Sequence, residues 1–150
     1  MSIAIRGAFV DDMVEIEGVF RRASLSNEND RDLLMGHPEW LTLSEDGIRE
    51  GRMRVAVDDH GTVVGFATYL IVDGVAELED LFVDPSQMRR HIGEALVLDI
   101  ALRLRELGFE TLEVTANPHA MAFYRYVGFE DSHIVETEGY PAPRMRRPIR

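Results

Sequence analysis

The stretch Leu78-Glu79-Asp80-Leu81-Phe82-Val83-Asp84-Pro85, followed after five intervening residues by His91-Ile92-Gly93-Glu94-Ala95-Leu96, decides the fold. A strand is stopped by Asp84-Pro85, a short loop turns, and a helix begins around a glycine. Backbone N–H groups at such a turn converge on one spot, and the helix N-terminus adds partial positive charge. The combination suits a bound anion such as a pyrophosphate. Strand, loop, glycine and helix form a common pattern, and Gly93 serves equally well to let the helix pack close to a sheet.

Upstream, residues 53–57 and 62–72 read as strands separated by the turn Asp58-Asp59-His60-Gly61. Asp73-Gly74 is a hairpin signal leading into a third strand over 75–83. These three make an antiparallel meander. Downstream, Ile92, Leu96, Ile100, Leu104 and Leu107 form one helical stripe, widened by Ala95, Leu98, Ala101 and Leu102. Gly108 stops that helix and Thr111-Leu112-Glu113-Val114 is a strand, so a right-handed parallel crossover is expected. Asn117-Pro118 opens a further helix to Tyr126, Gly128 ends it, and strands follow over 129–135 and 145–149.

At the N-terminus, Ile3-Ala4-Ile5-Arg6 is a short strand. Asp11 and Asp12 offer N-cap chemistry ahead of Met13, Ile16, Val19 and Phe20, which are spaced as an amphipathic helix. Residues 24–51 are polar, with apolar residues only in patches, and read as one short helix and a loop. Such a segment in a compact domain is more often a lid or binding loop than a plain connector. The expectation is one mixed α/β (α+β) domain over 1–150.

Composition narrows the chemistry. There is no cysteine, which excludes disulfides, thiolate nucleophiles and Cys-ligated metals. All 16 basic residues are arginine, against 27 acidic ones, for a formal charge of −11. The absence of lysine excludes Schiff-base chemistry and a Walker-type phosphate lysine. The acidic surface argues against nucleic acid as a partner. No apolar run reaches the roughly 18–20 residues of a membrane span, and residues 1–10 lack a signal-peptide core, so a cytoplasmic location is expected. His37, His60, His119 and His133 show no helical pairing with a second ligand, so no metal is expected.

A second block, Asn117-Pro118-His119-Ala120-Met121-Ala122-Phe123-Tyr124-Arg125-Tyr126-Val127-Gly128-Phe129, is more specific. With the meander ending in Val-Asp-Pro and the glycine-started helix, it resembles the GCN5-related N-acetyltransferase (GNAT) superfamily over nearly the whole chain. The resemblance implies a mostly antiparallel central sheet of six to seven strands flanked by about four helices. The family's phosphate-loop pattern, Gln/Arg-x-x-Gly-x-Gly/Ala, falls on Met88, His91 and Gly93. Only Gly93 matches, and His91 stands where glycine would let the backbone approach a pyrophosphate.

What the resemblance implies is acetyl transfer from acetyl-CoA to a small-molecule or peptide amine, directly within a ternary complex. Backbone groups of Leu81, Phe82 and Val83 would take the pantetheine as an added strand. Amides over Met88, Arg89, Arg90, His91, Ile92, Gly93 and Glu94 would hold the pyrophosphate, with an arginine assisting. Asn117 would bond the pantetheine, and Tyr124 would sit near the sulfur as general acid. Glu79 is the first candidate for general base, with Glu77 on the same strand face. Glu79 is equally readable as a solvated carboxylate, and Asn117 is also readable as a helix cap, which does not exclude contact with the cofactor. Glu28, Asp30, Trp40 and Glu77 are candidates for the acceptor site. Tyr140-Pro141-Ala142-Pro143-Arg144 reads as a rigid lead-in to the last strand, bordering the acceptor site or a dimer interface. A homodimer is the default expectation. The alternative function is a non-catalytic acyl-CoA sensor or interaction module on the same fold.

Overall fold

The computed structural model describes residues 2–26, 28–87, 91–137 and 140–149, with the side chains of residues 28–30, 40 and 140 outside that description. Among these residues seven strands form one sheet: β1 (Ala4–Gly7), β2 (Met53–Val57), β3 (Val63–Val72), β4 (Val75–Val83), β5 (Thr111–Thr115), β6 (Glu130–Thr137) and β7 (Tyr140–Pro148). Their hydrogen-bonded order is β1-β2-β3-β4-β5-β7-β6. The β4–β5 pair is parallel, whereas β1–β2, β2–β3, β5–β7 and β6–β7 are antiparallel. Among the described residues five helices accompany them: α1 (Met13–Leu25), α2 (Glu28–Met35), α3 (Asp46–Arg49), α4 (Ile92–Glu106) and α5 (Met121–Tyr126). The mixed, mostly antiparallel sheet and the parallel crossover through α4 agree with the sequence reading.

Two compact units share these elements. One holds Met1–Thr68 and Asp80–Leu96, the other Tyr69–Glu79 and Val97–Arg150. The first is built on Met13, Ile16 and Val19 of α1 packed with Ile48, Met53, Val55, Val57, Val63 and Phe66. The predicted three-and-four spacing therefore supplies the core face of α1. In the second unit Ile100, Leu104, Leu112 and Met145 are all fully buried.

The hairpin forms as read, with Asp73 at φ 51° and Gly74 at φ 79°, both in the left-handed region that a two-residue turn requires. Asp58 organises the preceding turn by accepting the N–H groups of His60 and Thr62 at 2.9 and 3.0 Å.

Four expectations are corrected. Residues 24–51 hold two helices, α2 and α3, and a 3₁₀ turn over Pro38–Leu41, rather than one helix and a loop. Tyr140 to Arg144 lie within β7 itself, paired with β6 from Thr137↔Tyr140 to His133↔Arg144. Asp12 does not cap α1 with its side chain; its carboxylate turns back to the Arg6 guanidinium at 2.8 and 3.0 Å and to the Phe9 N–H at 2.7 Å. Finally, Leu98, Leu102 and Leu107 face solvent. At about 100° per residue, Leu98 and Leu102 lie opposite Leu96 and Ile100, and Val97 and Ala101 complete the buried arc instead.

Candidate active site

In the first unit β4 delivers Leu81, Phe82 and Val83, all half-buried, to the connection that leads into α4. The Phe82 ring stacks on Phe66 (centroids 5.5 Å apart) and meets Phe20 edge-on at 4.9 Å, which fixes the end of the strand against the core. Gly65 makes the close approach of α4 possible. A β-carbon there would lie 3.2 Å from Ile92 Cγ2, 3.2 Å from the Phe82 carbonyl oxygen and 3.3 Å from Leu96 Cδ1. Gly65 on β3, which the sequence reading did not single out, thus serves the close packing of this helix.

Asp84 anchors the start of the connection. Its N–H donates to the Val64 carbonyl and its own carbonyl accepts the Gln87 N–H, both at 2.8 Å. Its carboxylate accepts the Ser86 N–H at 3.0 Å and the Ser86 hydroxyl at 2.8 Å, and pairs with Arg22. Burial opposes ionisation of Asp84, but the bonds from Ser86 and Arg22 prevail and hold its carboxyl below the ordinary carboxylate range.

Met88, Arg89 and Arg90 lie outside the described residues. His91 follows, with φ 59°, the left-handed conformation that glycine adopts without steric cost. The residue type departs from the family pattern, and it stands in a backbone conformation that glycine would hold without strain. Its ring is exposed and turned to Glu94, with Nδ1 3.3 Å from Oε2. The first intrahelical bond of α4 runs from the Ala95 N–H to the His91 carbonyl at 3.0 Å. The N–H groups of Ile92, Gly93 and Glu94 therefore precede any helical acceptor and emerge at the positive end of a 15-residue helix. These amides and the adjoining left-handed turn suit an anionic diphosphate.

In the second unit Asn117 accepts the His119 N–H on Oδ1 at 3.0 Å, so its capping role is realised. Tyr124 on α5 is buried at 8% exposure, with its ring edge-on to Phe123 and Phe129 at 5.4 and 5.3 Å. Glu79 is exposed on β4. Glu77 is ion-paired with Arg144, whose Nε donates to Glu113 Oε1 at 3.0 Å and whose Nη1 donates to Thr115 Oγ1 at 2.9 Å. The β4–β5 register joins Ala76 to Leu112 and Glu77 to Glu113. Two carboxylates thus stand side by side in the sheet, and Arg144 bridges them. The side chains of Glu28, Asp30 and Trp40 lie outside the described residues.

Among the described residues no cluster of three potential metal ligands occurs, and no helix is long and apolar enough to cross a membrane.

Comparison with known proteins bears on this arrangement. The family model described as Acetyltransferase (GNAT) family matches residues 12–129. No curated protein matches the sequence. Among solved structures, a GNAT-family acetyltransferase of Staphylococcus aureus is 18% identical with a TM-score of 0.76, covering 99% of this chain and 100% of that one. The PaiA N-acetyltransferase of Thermoplasma acidophilum in complex with coenzyme A is 21% identical with a TM-score of 0.73, covering 99% of each chain. A phosphinothricin acetyltransferase of Sinorhizobium meliloti in complex with AcCoA is 22% identical with a TM-score of 0.73, covering 99% of this chain and 89% of that one. At such identities the structural likenesses carry the fold, while the family model spans well over half of the sequence. The chain belongs to the GNAT acetyltransferase family.

Proposed function

We infer that the protein transfers an acetyl group from acetyl-CoA to a primary amine, both substrates being bound together. The observation that carries this reading is the junction of β4 and α4. There a buried Asp84 fixes the turn, His91 keeps a glycine-like backbone, and the three helix-leading N–H groups have no helical partner among the described residues.

When bound, acetyl-CoA supplies an activated thioester. Ile92, Gly93 and Glu94 would donate their N–H groups to its diphosphate, with Arg89 or Arg90 adding charge. The backbone of Leu81 to Val83 would pair with the pantetheine in the manner of a strand. Because Asn117 Oδ1 serves the cap, its bond to the pantetheine would be donated by Nδ2. Glu79, directly or through water, takes the proton that the acceptor ammonium must lose before its nitrogen attacks the thioester carbonyl. The Val83 N–H would donate to the oxygen on which negative charge develops. Tyr124 would give its phenolic proton to the departing thiolate as the carbon–sulfur bond breaks. Without cysteine there is no thiol on the chain to carry the acetyl group, so transfer is direct.

Glu77 is offered as an acceptor-site residue, acting in its pair with Arg144; Glu28, Asp30 and Trp40 are offered from the polar segment. The acidic balance of the chain favours a cationic acceptor. The test is release of free thiol from acetyl-CoA over a panel of polyamines, aminoglycosides and peptides with free amino termini. Amine-dependent release supports the transferase reading. Coenzyme binding without release from any amine supports the acyl-CoA sensor instead.

A further inference from the structure

Helix α1 carries a glycine in its interior, Gly18, a residue type that weakens a helix. Its neighbourhood gives a reason for it. A β-carbon at Gly18 would stand 3.0 Å from Arg22 Nη1, 3.5 Å from Nη2 and 3.6 Å from Cζ. The Arg22 guanidinium therefore lies back across the space that a side chain at position 18 would occupy. From there Nε donates to Asp84 Oδ2 at 2.8 Å and Nη2 lies 2.6 Å from the same oxygen.

Asp84 is 9% exposed and heads the segment that runs into α4. The helix start that follows, with the N–H groups of Ile92, Gly93 and Glu94, is where the reading above seats an anionic diphosphate. A buried carboxylate there opposes a second anion unless a cation balances it. Arg22 is that cation. Its own side chain is 57% exposed, so water screens its end of the pair, and Asp84 keeps its two Ser86 bonds without it. The Arg22 charge matters further where another negative charge must approach.

We propose that Arg22, seated by Gly18, is a positioning and charge-balancing residue for coenzyme binding, acting through Asp84 rather than by touching the ligand. This rests on the acetyl-CoA reading. It assigns a role in the coenzyme site to α1, through Gly18 and Arg22, a helix that the phosphate-loop pattern does not include.

The experiment is calorimetric titration of the full chain with coenzyme A, alongside thermal unfolding. Arg22→Met is expected to bind about tenfold more weakly, the scale of one unbalanced charge near the ligand, with a moderate fall in Tm as the buried Asp84 loses its partner. Arg22→Met combined with Asp84→Asn keeps the acceptor for Ser86 and removes the unbalanced charge, so binding returns to within about threefold of wild type. Gly18→Ala raises Tm through helix propensity and yet weakens binding by about two- to threefold, because the pinned guanidinium must shift. In the Arg22→Met background the same alanine leaves affinity unchanged. Wild-type affinity in Arg22→Met, or no recovery on adding Asp84→Asn, overturns this proposal alone. Failure of the wild-type protein to bind coenzyme A overturns the acetyl-CoA reading, and this proposal with it.

Discussion

Arg144 of β7 is ion-paired with Glu77 of β4, and the same guanidinium reaches Glu113 of β5, the residue that stands directly opposite Glu77 in the sheet. Like charges opposed in a ladder destabilise it, and here one arginine, 14% exposed, answers both. Replacing Arg144 with methionine is expected to cost about 2 kcal/mol, since two half-buried carboxylates lose their partner. Adding Glu77→Gln and Glu113→Gln to Arg144→Met recovers most of that loss. Urea denaturation of the single and triple variants checks both, and a triple variant no more stable than the single one contradicts the bridging role.

His91 holds a left-handed backbone at φ 59°, a conformation costing roughly 1–2 kcal/mol for a residue with a β-carbon. Glycine removes that strain but gains freedom in the unfolded chain. His91→Gly is therefore expected to be at least as stable as wild type, and about 1 kcal/mol more stable than His91→Ala, which keeps the strain. In the thiol-release assay His91→Gly should retain activity. A sharp loss would mean that the imidazole takes part in the site.

Tyr124 packs edge-on between Phe123 and Phe129, so phenylalanine fits its position. Tyr124→Phe is expected to lower kcat about 100-fold, as loss of a general acid does, with the KM for acetyl-CoA and the Tm little changed. Steady-state kinetics across pH decides the matter. A variant as active as wild type at every pH removes Tyr124 from the mechanism.

The carboxyl groups of Asp84 and Asp12 are both held below their ordinary value of 3.8. For Asp84 burial works against the shift, but the Ser86 and Arg22 bonds exceed it; for Asp12 the Arg6 hydrogen bond leads. A carboxyl whose folded pKa is depressed adds stability that is fully present above its unfolded pKa and is withdrawn as pH falls through the lower folded value. Wild type should therefore exceed Asp84→Asn in stability at neutral pH, by a margin that holds down to about pH 5 and shrinks below about pH 4. Denaturant titrations at a series of pH values measure that margin. A margin that grew on acidification would reverse the assigned sign.

Much of the architecture was legible because it rests on periodicity and turn chemistry. Asp73-Gly74 admits a two-residue hairpin, and Ile92, Leu96, Ile100 and Leu104 admit one buried face. What escaped depends on register and on distant approach. Nothing in the sequence says that Glu77 lies beside Glu113 until β4 and β5 are paired. Arg144 therefore read as part of a proline-bracketed segment when it is a bridge. Gly65 and Gly18 were invisible for the same reason, since their neighbours, Ile92 and the guanidinium of Arg22, arrive only on folding. Residues 24–51 misled because sparse apolar patches gave no period long enough to count two helices. The His91 departure was visible in the sequence, but its meaning was not, because a φ angle is not written in a residue name.

Acetyl transfer by this protein requires that the leading amides of α4 receive the coenzyme's diphosphate. Titration of isotopically labelled protein with coenzyme A, followed through its backbone amide resonances, tests it most directly. The N–H signals of Ile92, Gly93 and Glu94 are expected to move among the largest in the spectrum. Saturating coenzyme that leaves those three signals in place would contradict it.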